Sequence, residues 1–332
     1  MKNTGKKSAG AELRTLDPHI SDLMGVLAGV KPVLYTDISA SDEEYIKRLC
    51  SRFGLLYLKP ESGGSRHFHF RPEKFMVLIG RRRRDLEAAA RSWRSMDSDG
   101  AFIDWGCLLG YPECCVRRYL PWSDPGRLAR IRTGFLDSIL SGTRDLRGGI
   151  SFLLNNVFNF FSTPYRDGPE KDREMYGSIM RINSRDLPLP NLNVVCWHPC
   201  SYDCAGSLRR AALTFAELGR HMPDFAAMLR DRLSRPVLSM GKYRFLVFSR
   251  AKASRVPRGA LRIEHGGLTG PLSLMPASEL RALNSERVLT VRSGRILSAA
   301  DRLLSDAGRG CRPVFLDFRS EVEGAPGQGK GE

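Results

Sequence analysis

The chain has 332 residues, 42% of them hydrophobic and 27% charged, which is the composition of a water-soluble globular protein with room for more than one domain. Its 52 Lys and Arg against 36 Asp and Glu give a formal net charge of +16 and suit an anionic partner such as nucleic acid, although arginine enrichment spread along the whole chain would produce the same balance. No uninterrupted apolar run reaches membrane-spanning length, and Met1–Arg14 lacks the apolar centre of a secretory signal, so a membrane role and export are both set aside and a cytoplasmic location is expected.

In chain order, residues 1–24 read as a disordered basic arm, with Ser21–Val30 able to form a short helix. Strands are expected at Pro32–Tyr35, Leu55–Leu58 and Phe75–Ile79, the last almost purely apolar and so covered on both faces. Helices are expected at Ser41–Cys50, with Ser41 as cap and an acidic first turn, and at Asp85–Trp93. Alternating strands and helices define a small α/β unit over 25–105. Within it, His67 and His69 would share one side of a strand, but an exposed edge segment explains them as well, and Arg81–Arg84 reads as a solvated turn. Residues 106–235 form a mainly helical domain, with helices expected over 113–120, 128–140, 150–161, 170–182 and 207–219 and a short strand over 193–197. Residues 236–320 are strand-rich, with strands near 243–248, 261–263, 288–291 and 313–318 and a turn at Ser293-Gly294. The Gly-rich tail, 321–332, reads as disordered. The fold class is therefore α+β.

Eight cysteines without a signal sequence argue against a disulfide scaffold. Two stretches concentrate them: Gly106-Cys-Leu-Leu-Gly-Tyr-Pro-Glu-Cys114-Cys115 and Cys196-Trp-His-Pro-Cys200-Ser-Tyr-Asp-Cys204. In each, a proline precedes the cysteines and an apolar-periodic segment follows, so each reads as a helix start. In the first, Pro112 takes the first helical position. In the second, His198 caps the helix and Cys200 and Cys204 lie four apart on one face. The N-terminal end of a helix favours thiolate over thiol. Together the stretches offer Cys114, Cys115, His198, Cys200 and Cys204 as metal ligands. His198 and Asp203 are candidates for proton transfer, though Asp203 also suits a first-turn acid.

Adjacent residues on a helix diverge by about 100°, which makes one tetrahedral zinc an awkward partner for both Cys114 and Cys115. An iron–sulfur cluster, or a dithiol cycling between reduced and oxidised forms, uses the pair more naturally. The Cys-x3-Cys-x3-Cys spacing of 196, 200 and 204 is one residue too long for the radical S-adenosylmethionine pattern. Cys50, Cys107, Cys196 and Cys311 are expected to be ordinary buried side chains.

The two cysteine motifs, with the preceding Val77-Leu-Ile-Gly80 strand, resemble the domain-of-unknown-function family 483 over about residues 75–220. That resemblance implies that both motifs build one site and implies no reaction. Three functions follow as expectations. The first is an enzyme of redox or sulfur chemistry with an iron–sulfur centre or a single zinc or iron ion, acting on an unknown substrate. The second is a metal-free dithiol oxidoreductase, and the third a zinc-stapled protein that binds nucleic acid.

Overall fold

The structure, a computed structural model, describes residues 21–60, 74–96, 98–123, 135–146, 149–157, 193–240, 245–269, 276–306 and 313–320. Helix α1 (Ser21–Leu27) places Leu23, Met24, Val26 and Leu27 in the core. Its first turn lies inside the segment assigned to the basic arm; the apolar Leu23-Met24 pair, fully buried, draws those residues into the fold. Gly29, at φ 74°, ends the helix, and the amides of Val30 and Lys31 both return to the Gly25 carbonyl.

Strand β1 (Val33–Ser39), a 3-10 turn (Ala40–Asp42), α2 (Glu43–Arg52), β2 (Leu56–Leu58) and β3 (Lys74–Gly80) follow. Ser41 sits inside the 3-10 turn rather than capping α2. The sheet order is β1-β3-β2, antiparallel throughout, with Val33 opposite Gly80. Central β3 is apolar because both its faces are covered. Met76 and Leu78 meet Trp93 and Trp105, while Val77 and Ile79 face the cluster containing Leu23, Leu34 and Ile46.

Helices α3 (Arg83–Arg94), α4 (Asp99–Leu108) and α5 (Glu113–Ser123) pack in succession. Ser98 caps α4 by accepting from the Ala101 amide at 3.2 Å. Gly106 lets α4 and α5 close: an added Cβ there would stand 2.7 Å from a Val116 methyl. Between them Gly110 turns the chain at φ 80°.

Helix α6 covers Phe135–Gly142, and residues 128–134 of the helix expected over 128–140 lie outside the described residues. The helix expected over 150–161 is not formed in its described part. Ile150–Ser151 is a strand, β4, paired in parallel with Phe318–Arg319, and Phe152–Leu154 is a single 3-10 turn. Asn155 explains the break, since its side chain accepts from the Val157 amide at 3.2 Å and donates to the Leu233 carbonyl at 2.7 Å. The helix expected over 170–182, His67, His69, Cys311 and the tail lie outside the described residues.

Residues 193–204 form an irregular loop rather than the expected strand and helix start. Helices α7 (Ala205–His221) and α8 (Pro223–Leu233) come next, and α7 packs on α1. The remaining strands are β5 (Val237–Ser239), β6 (Phe245–Val247), β7 (Ala251–Val256), β8 (Ala260–His265), β9 (Val288–Arg292), β10 (Arg295–Leu297), β11 (Leu303–Asp306), β12 (Val314–Leu316) and β13 (Phe318–Arg319), with α9 (Ala277–Ser285) between β8 and β9. Strands β7 to β11 form an antiparallel sheet in the order β11-β10-β9-β8-β7. Ser293 and Gly294, both at positive φ, make the tight β9–β10 turn. Strand β5 joins the halves: Val237 belongs to the core of the helical part and Leu238 to the core beneath the large sheet. The fold is thus α+β with a strand-rich C-terminal region.

Candidate metal centre

Cys114 and Cys115 enter on the first turn of α5. The Pro112 carbonyl accepts from the amides of Cys115 and Val116 at 2.9 and 3.0 Å, so the proline precedes the helix by one position more than expected. Cys204 is the N-cap of α7, its carbonyl accepting from the Leu208 amide at 2.9 Å. Cys200 lies in the loop before it, so the four-residue spacing reflects a loop doubling back and not a helix face. Residues from the end of α6 hold that loop. Thr143 Oγ1 accepts from the Tyr202 amide at 3.0 Å, and the Arg144 amide donates to Asp203 Oδ2 at 3.3 Å.

These elements bring the Sγ atoms of Cys114, Cys115, Cys200 and Cys204 within 4.8 Å of one another. The pairs 114–115, 114–204, 115–204 and 114–200 are separated by 3.9, 3.7, 3.7 and 3.8 Å. All are too long for disulfides. The vicinal pair shares one group despite its angular divergence on the helix, because neighbouring sulfurs 3.9 Å apart still span one edge of such a cluster. Cys115 and Cys204 are buried, Cys200 half-buried and Cys114 exposed.

The electrostatics are those of crowded thiols sharing few charges. The hydrogen bond with Cys115 brings Cys204 down to about 4 against the opposing effect of burial, with further help from Ser207. Hydrogen bonding to Cys204, followed by burial, pushes Cys115 far up. Burial, then the charge on Cys204, pushes Cys200 up to about 12. Cys204 therefore carries negative charge first, and a cation is what would allow its neighbours to ionise as well.

Two donors support Cys115. The Cys200 amide donates to its Sγ at 3.2 Å, and Ser207 Oγ lies 3.2 Å away. Trp197 Nε1 donates to that same Ser207 oxygen at 3.0 Å, which leaves the hydroxyl hydrogen for the sulfur. Ser207 and Trp197 are thus supporting residues that the sequence reading did not single out. Only their places within and just after the second motif hinted at them.

His198 and Asp203 do not belong to the group of mutually close ligand atoms. The His198 ring stacks on Tyr119 with centroids 5.7 Å apart, and its Nδ1 accepts from Asn156 Nδ2 at 2.9 Å. Burial pushes the Asp203 carboxyl up, but hydrogen bonds from Ser201 and the Arg144 amide outweigh it and hold the group below its usual range. Asp203 is thereby placed as a tie for the loop. Cys196, expected to be an ordinary buried side chain, instead accepts a hydrogen bond from Lys31 Nζ at 3.1 Å.

Fold and site define an α+β protein whose four clustered cysteines could hold a metal ion. Comparison with families of known proteins, with curated proteins and with solved structures found no match. Among the described residues no helix is long and apolar enough to cross a membrane.

Proposed function

We propose that the protein binds a single zinc ion through Cys114, Cys115, Cys200 and Cys204, and that the ion staples the start of α5 to the start of α7. The observation that carries this reading is the sulfur spacing. Four thiolates at zinc–sulfur bonds of about 2.3 Å in a tetrahedron stand about 3.8 Å apart, which agrees with four of the six pairs at 3.7 to 3.9 Å, the other two lying within 4.8 Å. An iron–sulfur cluster interposes a multi-atom core between its ligands and needs them more widely spread. Four protein ligands also leave no open position for a substrate, which favours a staple over a catalytic centre. All seven described cysteines are free thiols, as a reducing compartment such as the cytoplasm would keep them.

The same reading takes nucleic acid as the partner of the stapled fold, on the strength of the +16 charge. The motif resemblance to family 483 agrees with one site built from both cysteine stretches. Metal analysis and a visible spectrum of anaerobically purified protein test the proposal, beside a Cys200→Ser, Cys204→Ser double variant. One zinc per chain, lost in the variant, is the expected result. Iron with broad visible absorption would overturn the zinc staple in favour of a redox centre, and absence of metal would leave a dithiol.

A further inference from the structure

Among the described residues outside the four-thiol group, a second cluster of reactive side chains surrounds Lys31. This lysine is buried, 3% exposed, and lies against Gly25, where an added Cβ would come within 2.5 Å of its side chain. Its ammonium touches Asp22 Oδ1 at 2.5 Å and Cys196 Sγ at 3.1 Å, and stands 4.8 Å from the centroid of the Tyr111 ring. Cys196 in turn donates to Tyr111 Oη at 3.4 Å, so its sulfur is held between the phenol and the amine. An ion pair alone requires no thiol. Burial opposes the charge on Lys31, but Asp22 and Cys196 outweigh it and hold the nitrogen as ammonium. The arrangement thus sets an amine that must first give up a proton, a carboxylate to take it and an oxidisable sulfur side by side.

We propose that Lys31 and Cys196 form an oxidative covalent crosslink, a reversible modification site joining the loop after α1 to the loop that leads into the metal centre. The oxidant is a hydroperoxide such as hydrogen peroxide. It transfers one oxygen to the Cys196 sulfur, which loses two electrons to become sulfenic acid, and water leaves. The Lys31 ammonium gives a proton to the Asp22 carboxylate, and its nitrogen bonds to the sulfur. The S–O bond breaks, and hydroxide departs as water with a second nitrogen proton. Sulfenic acids condense in this way with nitrogen as well as with thiols. The product is an S–N bridge lacking two hydrogens relative to the reduced pair, and excess thiol reverses it to thiol and amine. Burial pushes the Cys196 thiol up to about 12, which slows the first step relative to an exposed thiol and calls for prolonged exposure to excess peroxide. The inference does not depend on metal at the four-cysteine group.

The test is peptide mapping by mass spectrometry on the full-length protein after hydrogen peroxide treatment, with and without subsequent thiol reductant. The expected result is a linked pair of peptides containing Lys31 and Cys196, two hydrogens lighter than their sum, absent after reduction and absent in Cys196→Ser. Cys196 ending as sulfinic acid or trapped as sulfenic acid by a dimedone probe, with Lys31 unlinked, would overturn the proposal. So would Cys196 left unmodified when Cys114 is fully oxidised, or Cys196 joined to another cysteine.

Discussion

Ser207→Ala removes one hydroxyl from the middle of a buried relay. The oxygen is 3.0 Å from Trp197 Nε1 and 3.2 Å from Cys115 Sγ, and the residue has no exposed surface. Alanine fits the helix, so the loss is that of two hydrogen bonds and not of backbone geometry. The indole N–H, a donor with no other role, is left unsatisfied at a cost to stability of about 1–3 kcal/mol. With zinc bound as proposed, the Cys115 thiolate would lose one of its two donors, and removing an outer-shell partner of this kind lowers metal affinity about 10- to 100-fold, or about 1.4–2.7 kcal/mol. Zinc affinity measured by competition with a chromophoric chelator should therefore fall by one to two orders of magnitude, and the metal-free protein should also unfold at lower denaturant. Trp197→Phe should weaken zinc binding less, and the two substitutions should combine less than additively because they cut the same chain. A zinc affinity within about twofold of wild type in Ser207→Ala would refute the relay, since an outer-shell donor should be worth more than that.

Acidification should release the ion steeply. Zinc bound as proposed would displace protons from Cys200 and Cys115, whose thiols are pushed up, while Cys204 is brought down to about 4. With at least two protons displaced, affinity should drop at least about 100-fold for each unit the pH falls toward 6, as read by chelator competition; a tenfold slope would show that only one thiol ionises on binding. Gly142→Ala should disturb the site without touching a ligand, because its Cβ would run into the carbonyl of Cys200. We expect lower zinc affinity from the displaced loop, and unchanged binding would mean that the loop yields freely. Gly106→Ala meets Val116 methyl groups at 2.7 and 2.8 Å and should cost about 1–3 kcal/mol of stability in denaturant unfolding, the range for overpacked cores. His265 is buried with neither ring nitrogen hydrogen-bonded, and burial, then Arg287, lowers its pKa. The contribution of this neutral ring is complete above the ordinary histidine range and is lost as the pH falls through it. His265→Phe should flatten that dependence in equilibrium unfolding between pH 7 and 5.

Local chemistry made much of this chain legible. The apolar run of β3, the Ser293-Gly294 turn and the helix after Cys204 follow from periodicity and turn preferences that act over a few residues. The dense thiols at 114–115 and 200–204 marked the site for the same reason, since cysteine at such density has few structural uses. What periodicity cannot report is competition from distant partners. Ile150–Leu154 has a helical pattern, yet pairing with Phe318 and the side-chain bonds of Asn155 claim its backbone. His198 looked like a ligand by proximity in sequence, but Tyr119 and Asn156 take its ring, while Cys115, 89 positions from Cys204, comes within 3.7 Å of it. The sequence by itself determined the kinds of side chain available and the short elements that carry them. Tertiary packing alone decided which thiols meet and that Cys196 faces Lys31, because those contacts rest on the docking of α1, α5 and α7, whose burial free energy is shared by residues far apart in the chain.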